Sequence, residues 1–414
     1  MGTTTFDIIV IGGGPAGLIA SGRAAELGSK TALFEKNASL GRKLLLTGNG
    51  RCNLTNNGNS LRDLVGKYGK NGRFLYHAFS LFGVPETINF FNKRGLPTKA
   101  EEDGRVFPAS ERAADVLRVL RAYAERADII TGAPVEGLEP GDSYIKGVKV
   151  NGELIRAKNF ILCTGGKSFP NTGSTGEAFH WLRSLGHEII QPAPALVPIT
   201  VKEDWIRNLE GASLNSVNIT LLQSGKKMAV IRGDAVVTAN GLSGPAILNA
   251  SRRVRELLKE GEVFLLLDLI PDVSIEALQD ELLRSLSEHP NRLIKSAVTS
   301  LLPPKLSGVL LMLAGIDEGR RLNTLTKNER RVLIESVKKV AMTVKGTQGF
   351  ERAYVTSGGV SLREIDHMTM RSKLYKNLYF AGEVIDIDGP SGGYNLQAAW
   401  STGHLAGESA AGSK

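Results

Sequence analysis

A glycine-rich turn directly after a short apolar run, near the amino terminus, constrains the fold more than any other feature of this 414-residue chain. The run Phe6–Ile11 is almost wholly apolar, which is typical of a strand buried on both faces. The sequence GGGPAG follows at 12–17, and apolar residues then recur at helical spacing as far as Leu27. A second apolar run lies at 31–34. This strand, helix and strand predict an α/β fold with a parallel, doubly wound sheet and right-handed crossovers.

The turn has the spacing GxGxxG, which binds the pyrophosphate of dinucleotides. Gly12 allows the tight turn, Gly14 lets a pyrophosphate approach N–H groups at the helix N-terminus, and Gly17 permits close packing of the helix on the strand. Glu35 follows the second strand, placed to accept hydrogen bonds from an adenosine ribose. Glycine-rich turns also serve packing alone, but the strand, helix and acid in register favour a dinucleotide, either FAD or NAD.

Two later segments bear on which dinucleotide binds. The sequence TGG at 164–166 ends a predicted strand, and AGE at 381–383 ends another before Asp386. The sequence GGYNLQ at 392–397 predicts a helix that starts near Asn395, with its positive end toward a polar ligand group. Each segment alone is typical of an ordinary loop turn. Together they predict a long ligand across the sheet, which suits FAD better than NAD.

The sequence GRKLLLTGNGRCN at 41–53 is the third candidate site segment. Its glycines allow the backbone to contact a flat ligand, and Arg42, Lys43 and Arg51 are candidates to neutralise phosphates or a reduced flavin anion. Cys52 is the candidate catalytic residue, because a thiol beside a flavin is able to donate a proton to a substrate carbon. The alternative is that Cys52 is an inert packing residue, as free cysteines often are.

Positive charge is concentrated around this segment. The whole chain has 51 Lys and Arg against 42 Asp and Glu, a formal net charge of +9. Residues 36–73 alone contain eight basic residues and one acid, Asp63, a balance of +7. The basic residues are Lys36, Arg42, Lys43, Arg51, Arg62, Lys67, Lys70 and Arg73. Two interpretations stay open: some charges neutralise FAD phosphates while the rest are solvated, or a positive rim attracts an anionic substrate such as RNA.

The middle of the chain has a different pattern. Before it, Asn151-Gly152 between short apolar runs predicts a two-residue hairpin. Strand patterns then follow one another without a predicted helix between them, which indicates an antiparallel sheet or small barrel. They lie at 217–222, 228–231, 235–238 and 263–267. Residues 274–340 have a helical pattern, and short strand patterns return at 353–356 and 378–381. The predicted domains are an FAD-binding domain at 1–195 plus 350–414, an inserted β domain at 196–273 plus 341–349, and a helical domain at 274–340.

Other patterns exclude several classes of protein. With only Cys52 and Cys163, the chain is not held together by disulfides, and we expect a reducing, cytoplasmic compartment. Residues 1–17 lack the basic region of a signal peptide and the length of a membrane span, so no membrane partner is expected. The histidines have no metal-ligand spacing and no GxSxG elbow occurs, so neither a metal nor hydrolase chemistry is expected. No second GxGxxG follows a strand, so any NAD(P)H must bind transiently near the flavin, or the electrons come from another source.

These motifs, in this order, resemble a known family. They are GGGPAG, GRKLLLTGNGRCNLTN, GRVFPAS, CTGGKSFPNTGSTGEAF, TSGGVSLREID and LYFAGEVIDIDGPSGGYNLQAAW. From residue 6 to about 408 the chain closely resembles the BaiN/RdsA family of NAD(P)/FAD-dependent oxidoreductases, also called the YhiN group. The resemblance implies a Rossmann-like FAD-binding domain of the GR2 flavoprotein type, with an inserted antiparallel β-barrel-like domain and an inserted helical domain.

The resemblance also implies which residues bind FAD. Carried over by position, these are Gly12, Gly14, Pro15, Ala16, Gly17, Glu35, Lys36, Arg42, Lys43, Gly50, Arg51, Cys52, Val135, Thr164, Gly165, Gly166, Gly382, Glu383, Asp386, Gly393, Asn395 and Leu396. Members of the family are assigned reduction of conjugated C=C bonds in bile-acid intermediates, oxidation of aminoacetone, and formation of dihydrouridine in large-subunit ribosomal RNA. The resemblance therefore defines the cofactor better than the substrate.

The leading functional hypothesis is an FAD-dependent reductase, with NAD(P)H as transient electron donor, that reduces a conjugated C=C bond and uses Cys52 as proton donor. A uridine of large-subunit ribosomal RNA is the leading substrate, because the positive charge suits a polyanion. One alternative is a small-molecule flavoenzyme, either an enone or bile-acid-type reductase or an aminoacetone-type amine oxidase. Another is a flavoprotein that binds RNA without turnover.

Overall fold

The computed structural model describes residues 6–58, 60–300, 302 and 304–412. The strands are β1 (Phe6–Ile11), β2 (Thr31–Glu35), β3 (Thr55–Asn56), β4 (Thr98–Ala100), β5 (Arg105–Pro108), β6 (Asp128–Thr131), β7 (Val135–Pro140), β8 (Ile145–Val150), β9 (Glu153–Ile155), β10 (Ala157–Leu162), β11 (Ile189–Ala195), β12 (Ile199–Val201), β13 (Ser213–Gln223), β14 (Lys226–Thr238), β15 (Gly241–Ser243), β16 (Phe264–Asp268), β17 (Val340–Thr347), β18 (Val355–Val360) and β19 (Leu378–Phe380). The helices are α1 (Pro15–Glu26), α2 (Leu61–Gly66), α3 (Tyr76–Leu81), α4 (Val84–Lys93), α5 (Ala113–Ala124), α6 (Glu177–Ser184), α7 (Pro245–Leu257), α8 (Ile275–Glu288), α9 (Ile294–Thr299), α10 (Pro304–Leu313), α11 (Lys327–Lys338) and α12 (Tyr394–Gly412). Short 3₁₀ turns that bear on the site are Leu44–Gly50, Gly69–Leu75 and Gly382–Val384.

The chain divides into two compact units. Unit 1 consists of Met1–Ala195 and Phe350–Lys414, and unit 2 consists of Leu196–Gly349. Residues 1–5 and 413–414, which the predicted FAD-binding domain includes, lie outside the described residues. The assignment of three domains with separate roles stays a prediction.

Unit 1 contains a parallel sheet in the strand order β19-β10-β1-β2-β6. Its centre is buried, and the β1 residues Ile9 and Val10 have no exposed surface. The chain runs from β1 to β2 on one side, whereas β10 pairs with the other side of β1. The loops that follow β1 and β10 therefore diverge at the carboxyl edge of the sheet, which is where doubly wound sheets bind ligands. The predicted parallel sheet is confirmed.

Helix α12 packs unusually closely on α1 in unit 1. A Cβ at Gly403 would lie 2.5 Å from the carbonyl oxygen of Ala16, and one at Gly407 would lie 2.4 Å from that of Ala20. Gly403 and Gly407 are four residues apart and so share one face of α12. These two glycines let the carboxy-terminal helix contact the backbone of α1, the helix that follows the glycine-rich turn.

Smaller antiparallel sheets complete unit 1, in the orders β3-β5-β4, β7-β8-β9 and β11-β18. The hairpin between β8 and β9 is the one predicted from Asn151-Gly152, and Val150 pairs with Glu153 across it. Asn151 has φ +51° and Gly152 has φ +78°, as a two-residue turn of type I′ requires. The hairpin prediction is confirmed.

Unit 2 contains a closed barrel in the strand order β12-β15-β14-β13-β16-β17, with antiparallel neighbours. The barrel residues Ile219 and Leu265 are fully buried, and they belong to one hydrophobic cluster with helix residues such as Leu310 and Leu333. The helices and the barrel therefore share a core. The predicted antiparallel barrel and the helical region that follows it are confirmed.

The structure of unit 2 differs from the sequence prediction at two places. The strands expected at 228–231 and 235–238 form one strand, β14, because its polar middle stays paired with β13. In this middle part, Asp234 accepts a hydrogen bond from the Ser216 N–H at 2.9 Å. The expectation of strands without an intervening helix is wrong at α7. This helix begins with Pro245 in its first turn and buries apolar residues at helical spacing, signals that were available in the sequence. Among the described helices, none is long and apolar enough to cross a membrane.

Candidate functional site

The glycine-rich turn after β1 lies against the end of β10. Gly12 has φ +105°, and its N–H donates to the carbonyl oxygen of Phe34 at 2.8 Å. A Cβ at Gly12 would lie 2.5 Å from the carbonyl oxygen of Cys163, and a Cβ at Gly17 would lie 1.9 Å from that of Gly12. Packing of the chain alone therefore requires glycine at positions 12 and 17.

Gly14 differs from its two neighbours in the motif. It is the N-cap of α1 with φ −85°, and a Cβ there would have no heavy atom of the described chain within 4 Å. Pro15 lies in the first turn of the helix and Ala16 is buried. Since the fold does not demand glycine at 14, the open space in front of the helix N-terminus fits a ligand that contacts backbone N–H groups.

Glu35 ends β2 and is buried beside this turn. Its Oε2 accepts a hydrogen bond from the Gly13 N–H at 2.8 Å, and its Oε1 accepts one from the Asn37 N–H at 2.8 Å. Val135 begins β7 close by, two residues after Ala133, whose N–H donates to the Glu35 carbonyl oxygen at 3.0 Å. Oε2 keeps capacity for another donor, such as a ribose hydroxyl.

The loop after β10 supplies a polar group at the same edge of the sheet. Thr164 Oγ1 is buried, and it has no hydrogen-bond partner among the described residues. Gly165 has φ +74°, and a Cβ at Gly166 would lie 2.2 Å from Thr356 Oγ1. A buried hydroxyl without a partner is unfavourable unless a ligand or water satisfies it. The Thr164 hydroxyl and the open space at Gly14 together fit a pyrophosphate-bearing cofactor such as FAD.

The segment 41–53 has a strained backbone. Asn49 has φ +58° and Cys52 has φ +63°, although neither is glycine, and Gly48 and Gly50 are also left-handed. For the two non-glycine residues such conformations cost about 1 kcal/mol or more each, and they cluster where a protein binds ligands. The strain supports a functional role for this segment.

Cys52 itself is completely buried in the structure. Burial raises the pKa of its thiol to about 12, with a smaller opposing effect from a hydrogen bond to Thr47. The thiol therefore stays protonated at neutral pH, as a proton donor must. The other cysteine, Cys163, is also buried and its pKa is raised by burial. A catalytic role for Cys52 stays a prediction.

Three of the cations that were predicted to contact the ligand form ion pairs with carboxylates of unit 1. Lys43 pairs with Glu383 at 2.6 Å, Arg51 with Glu101 at 2.8 Å, and Lys36 with Glu177 at 2.7 Å. Arg51 also stacks on Phe107, 4.0 Å from the ring centroid. Arg42 is exposed and donates to Asn37 Oδ1 at 2.7 Å. Much of the charge expected to neutralise a ligand is thus balanced by carboxylates of the chain.

Glu383 connects several of the candidate segments. Its Oε2 accepts from Lys43 Nζ, while its Oε1 accepts from the Thr356 N–H at 2.7 Å and from Ser168 Oγ at 3.1 Å. These contacts join segment 41–53, the loop after β10 and strand β18 at the turn that contains Gly382. Gly382 has φ +74° and donates from its N–H to Thr402 at 3.0 Å.

The start of α12 is held by its own loop. Helix α12 begins at Tyr394, one residue before the predicted start. Asn395 Oδ1 accepts from the Gly389 N–H at 2.8 Å, and the next residue, Leu396, is half-buried. Gly393 has φ +95°, and a Cβ there would lie 2.5 Å from the Thr55 carbonyl oxygen. The Asn395 side chain therefore hydrogen-bonds to the loop that precedes α12.

The structure brings several of the predicted site residues together. The turn at 12–17, Glu35, Thr164 and the Lys43–Glu383 pair gather at the carboxyl edge of the parallel sheet. Asp386, which follows the turn at Gly382, accepts at its carbonyl oxygen from Asn71 Nδ2 at 2.8 Å.

Sequence reasoning missed several residues at this edge of unit 1. Ser168 and Thr356, which hold Glu383, were not among the predicted site residues. Asn53 was also missed; its Oδ1 is buried and has no partner in the described part of the chain. The available signal was their position in the quoted motifs: Asn53 ends the segment 41–53, Ser168 stands two residues after Gly166, and Thr356 begins TSGGVSLREID.

Comparison with known proteins identifies the family. Residues 6–409 match the family model described as the HI0933-like protein Rossmann domain. The chain belongs to this family. The HI0933-like chain is 34% identical over 408 residues to the 3-dehydro-bile acid delta(4,6)-reductase of Clostridium scindens, which covers 97% of this chain and 98% of the relative. It is 30% identical over 399 residues to the ribosomal RNA dihydrouridine synthase of Escherichia coli K12, which covers 96% of each chain.

A solved structure agrees with this assignment of fold. The 3-ketosteroid delta1-dehydrogenase from Sterolibacterium denitrificans superimposes with a TM-score of 0.56 at 14% identity, over 100% of both chains. The predicted resemblance and the Rossmann-like fold class are therefore confirmed. The HI0933-like chain is an enzyme of the oxidoreductase class, with a flavoprotein fold.

Proposed function

We propose that this HI0933-like chain binds FAD and uses electrons from NAD(P)H to reduce the C5=C6 bond of a uridine in large-subunit ribosomal RNA. The proposal is supported by the open space at Gly14 and by the Thr164 hydroxyl at the diverging loops, which has no partner among the described residues. The chain aligns over 96% of its length with a ribosomal RNA dihydrouridine synthase. A second synthase with this name, from Haemophilus influenzae, is 31% identical over 404 residues.

Residues of unit 1 would hold the cofactor in the following way. The N-terminus of α1, in front of Gly14, would bind the pyrophosphate, with the Thr164 hydroxyl as a further donor. Glu35 would accept from the adenosine ribose, and Val135 would contact the same end. The loop at Gly393 and the start of α12 would face the other end of the ligand, where the helix dipole favours negative charge.

Bound FAD would supply two-electron chemistry, and the chain must supply the proton that completes reduction of a C=C bond. Cys52 is our candidate, because its buried Sγ holds a proton at neutral pH. The side chain has no exposed surface, so proton delivery would require movement of the strained segment 41–53. The Lys43–Glu383 pair would hold this segment against the rest of the site.

Substitution of the two cysteines tests this assignment. We expect Cys52→Ala to lower kcat by about 100-fold, the lower end of a general-acid contribution, while FAD stays bound. Cys163→Ala is the matched control, since it removes the other buried thiol and should leave kcat within about two-fold of the unmodified enzyme. Equal kcat values for the two variants, measured at saturating substrate, would assign Cys52 to packing alone.

A small conjugated molecule is the second candidate substrate. It is favoured by the 34% identity to a bile acid reductase over nearly the full length of both chains. The names of the relatives at 30% identity or more describe reductions, which supports a reductase over the amine oxidase considered from the sequence.

Anaerobic half-reactions separate these candidates. The purified yellow protein is mixed with NADPH or NADH under nitrogen, and the flavin absorbance is followed. We expect bleaching by a nicotinamide and recovery of colour on addition of ribosomal RNA that lacks dihydrouridine. Recovery with a steroid dienone but not with RNA would replace the leading substrate by the second candidate. Bleaching by an amine, with none by either nicotinamide, would contradict the reductase proposal.

A further inference from the structure

A second group of cations in unit 1 has no carboxylate partner among the described residues. Residues 61–76, called the basic segment below, comprise α2, the 3₁₀ turn Gly69–Leu75 and the first residue of α3. Four of its side chains are exposed and cationic. They are Arg62, Lys67, Lys70 and Arg73. The acid of the segment, Asp63, is engaged at the N-cap of α2, where Ser60 Oγ donates to its Oδ2 at 2.6 Å.

The charges of the basic segment differ from those earlier in the same stretch of sequence. Lys36, Lys43 and Arg51 each lie within 3 Å of a carboxylate oxygen, as described above. Within the described residues, by contrast, no carboxylate lies at ion-pair distance from any of the four cations. The Lys67 ammonium lies 5.8 Å from the ring centroid of Tyr394. The charge of the basic segment is therefore available to an external anion.

Two hydrogen bonds hold the basic segment beside the proposed active site. The Tyr68 hydroxyl donates to the Tyr394 carbonyl oxygen at 2.6 Å, and Asn71 Nδ2 donates to the Asp386 carbonyl oxygen at 2.8 Å. Both acceptors lie in the region between the end of β19 and the start of α12, within unit 1. An anion held by the segment would thus lie close to the loop that we propose to face the reacting end of the cofactor.

The chemistry of the basic segment fits single-stranded RNA. Four cations on a short stretch match successive phosphates of a backbone, and Tyr76, with 55% of its surface exposed, offers a ring on which a base is able to stack. Sequence-independent contacts of this kind suit an enzyme that must place one nucleotide of a large RNA. The exposed side chains of the segment are mainly polar or charged, which does not favour insertion into a lipid surface.

We propose that Arg62, Lys67, Lys70 and Arg73, with Tyr76, form the surface that binds the phosphate backbone of the RNA substrate next to the active site. The proposal rests on the proposed function, because it assigns a binding surface for that substrate. On this proposal, Lys36, Lys43 and Arg51 pair with carboxylates at the candidate site, whereas the four cations of the basic segment bind RNA.

Two matched quadruple variants of the holoprotein test the surface. In the first, Arg62, Lys67, Lys70 and Arg73 are each replaced by Gln. In the second, the same change is made at Lys93, Arg118, Arg121 and Arg126, exposed cations on or directly after α4 and α5. Because α5 precedes the parallel strand β6, its carboxyl end lies at the opposite edge of the sheet from the glycine-rich turn. Both variants lose four charges from unit 1, so a difference between them reports position and not net charge.

Binding of large-subunit ribosomal RNA is measured at a series of salt concentrations. We expect the first variant to bind at least about 10-fold more weakly at low salt, with a log K against log salt slope shallower by about 3, since each single-strand phosphate contact contributes about 0.7. The second variant should keep the unmodified slope. Thermal unfolding midpoints verify that both variants are folded.

Other results would contradict the surface in distinguishable ways. Equal RNA affinity and slope for the two variants would overturn it, even if dihydrouridine is still formed. Loss of binding to vesicles of anionic lipid, with RNA binding retained, would overturn it in favour of a membrane surface. Weakened RNA binding in the first variant alone would support the surface, and it would do so even if no dihydrouridine product is found, in which case the proposed reaction fails and the RNA surface stands.

Discussion

Replacement of Gly14 by alanine should weaken FAD binding and leave the fold intact. A methyl group at this position meets no heavy atom of the described chain within 4 Å, and φ of −85° is favourable for alanine. The same methyl group would occupy the space in which we place the pyrophosphate. We expect FAD binding to weaken by about 10- to 100-fold, which corresponds to about 1.4 to 2.7 kcal/mol. The measurement is a titration of apoprotein with FAD.

The control for Gly14→Ala is the same change at Gly17. A Cβ there would lie 1.9 Å from the Gly12 carbonyl oxygen, so Gly17→Ala should destabilise the protein itself. We expect Gly14→Ala to lower the free energy of unfolding of the apoprotein by about 1 kcal/mol or less, because alanine is a poorer N-cap than glycine but its methyl group meets no steric obstacle here. Full FAD affinity in a folded Gly14→Ala variant would contradict the proposed position of the pyrophosphate.

Glu383→Ala should be the most destabilising polar substitution at the candidate site. It removes the partner of Lys43, whose side chain is only 20% exposed, and it leaves the Thr356 N–H and Ser168 hydroxyl without this acceptor. A half-buried charge and donors that lose their partners cost about 2 to 4 kcal/mol together. We expect urea unfolding of the apoprotein to show a loss of this size.

Glu177→Ala provides the comparison for Glu383→Ala. Glu177 also pairs with a lysine, Lys36, but its side chain is 39% exposed. Exposed pairs contribute about 0 to 1 kcal/mol, so the loss should be correspondingly small. A similar small loss for both variants would show that Glu383 does not connect the segments of the site in the way the hydrogen bonds indicate.

The parts of the fold that were predictable from sequence depend on local signals. The strand and helix around 12–17 have apolar residues at strand and helix spacing, and the turn between them needs glycine at 12 and 17 for packing. Asn151-Gly152 specifies its hairpin because both residues adopt left-handed conformations. The strand patterns on either side of α7 do not indicate a helix, although Gly244-Pro245 marks its start. The sequence predicts two strands where the structure has β14 alone, because polar residues interrupt the apolar pattern in its middle.

The pairing of charges at the site was not predictable from the sequence. Lys43 and Glu383 are 340 residues apart, and only the folded arrangement of β10, β18 and β19 brings their loops together. For the same reason the sequence does not distinguish cations that pair with a carboxylate, such as Arg51, from cations such as Lys70, which has no carboxylate at ion-pair distance among the described residues. The orphaned hydroxyl of Thr164 likewise depends on three-dimensional packing.

The dihydrouridine content of large-subunit ribosomal RNA tests the central claim most directly. The RNA is isolated from a strain in which the gene is deleted and from the same strain complemented with the unmodified or the Gly14→Ala protein, and its nucleosides are quantified by mass spectrometry. We expect a loss of dihydrouridine on deletion, recovery with the unmodified protein, and no full recovery with Gly14→Ala. Unchanged dihydrouridine in the deletion strain would contradict the proposal that this enzyme reduces a ribosomal RNA uridine.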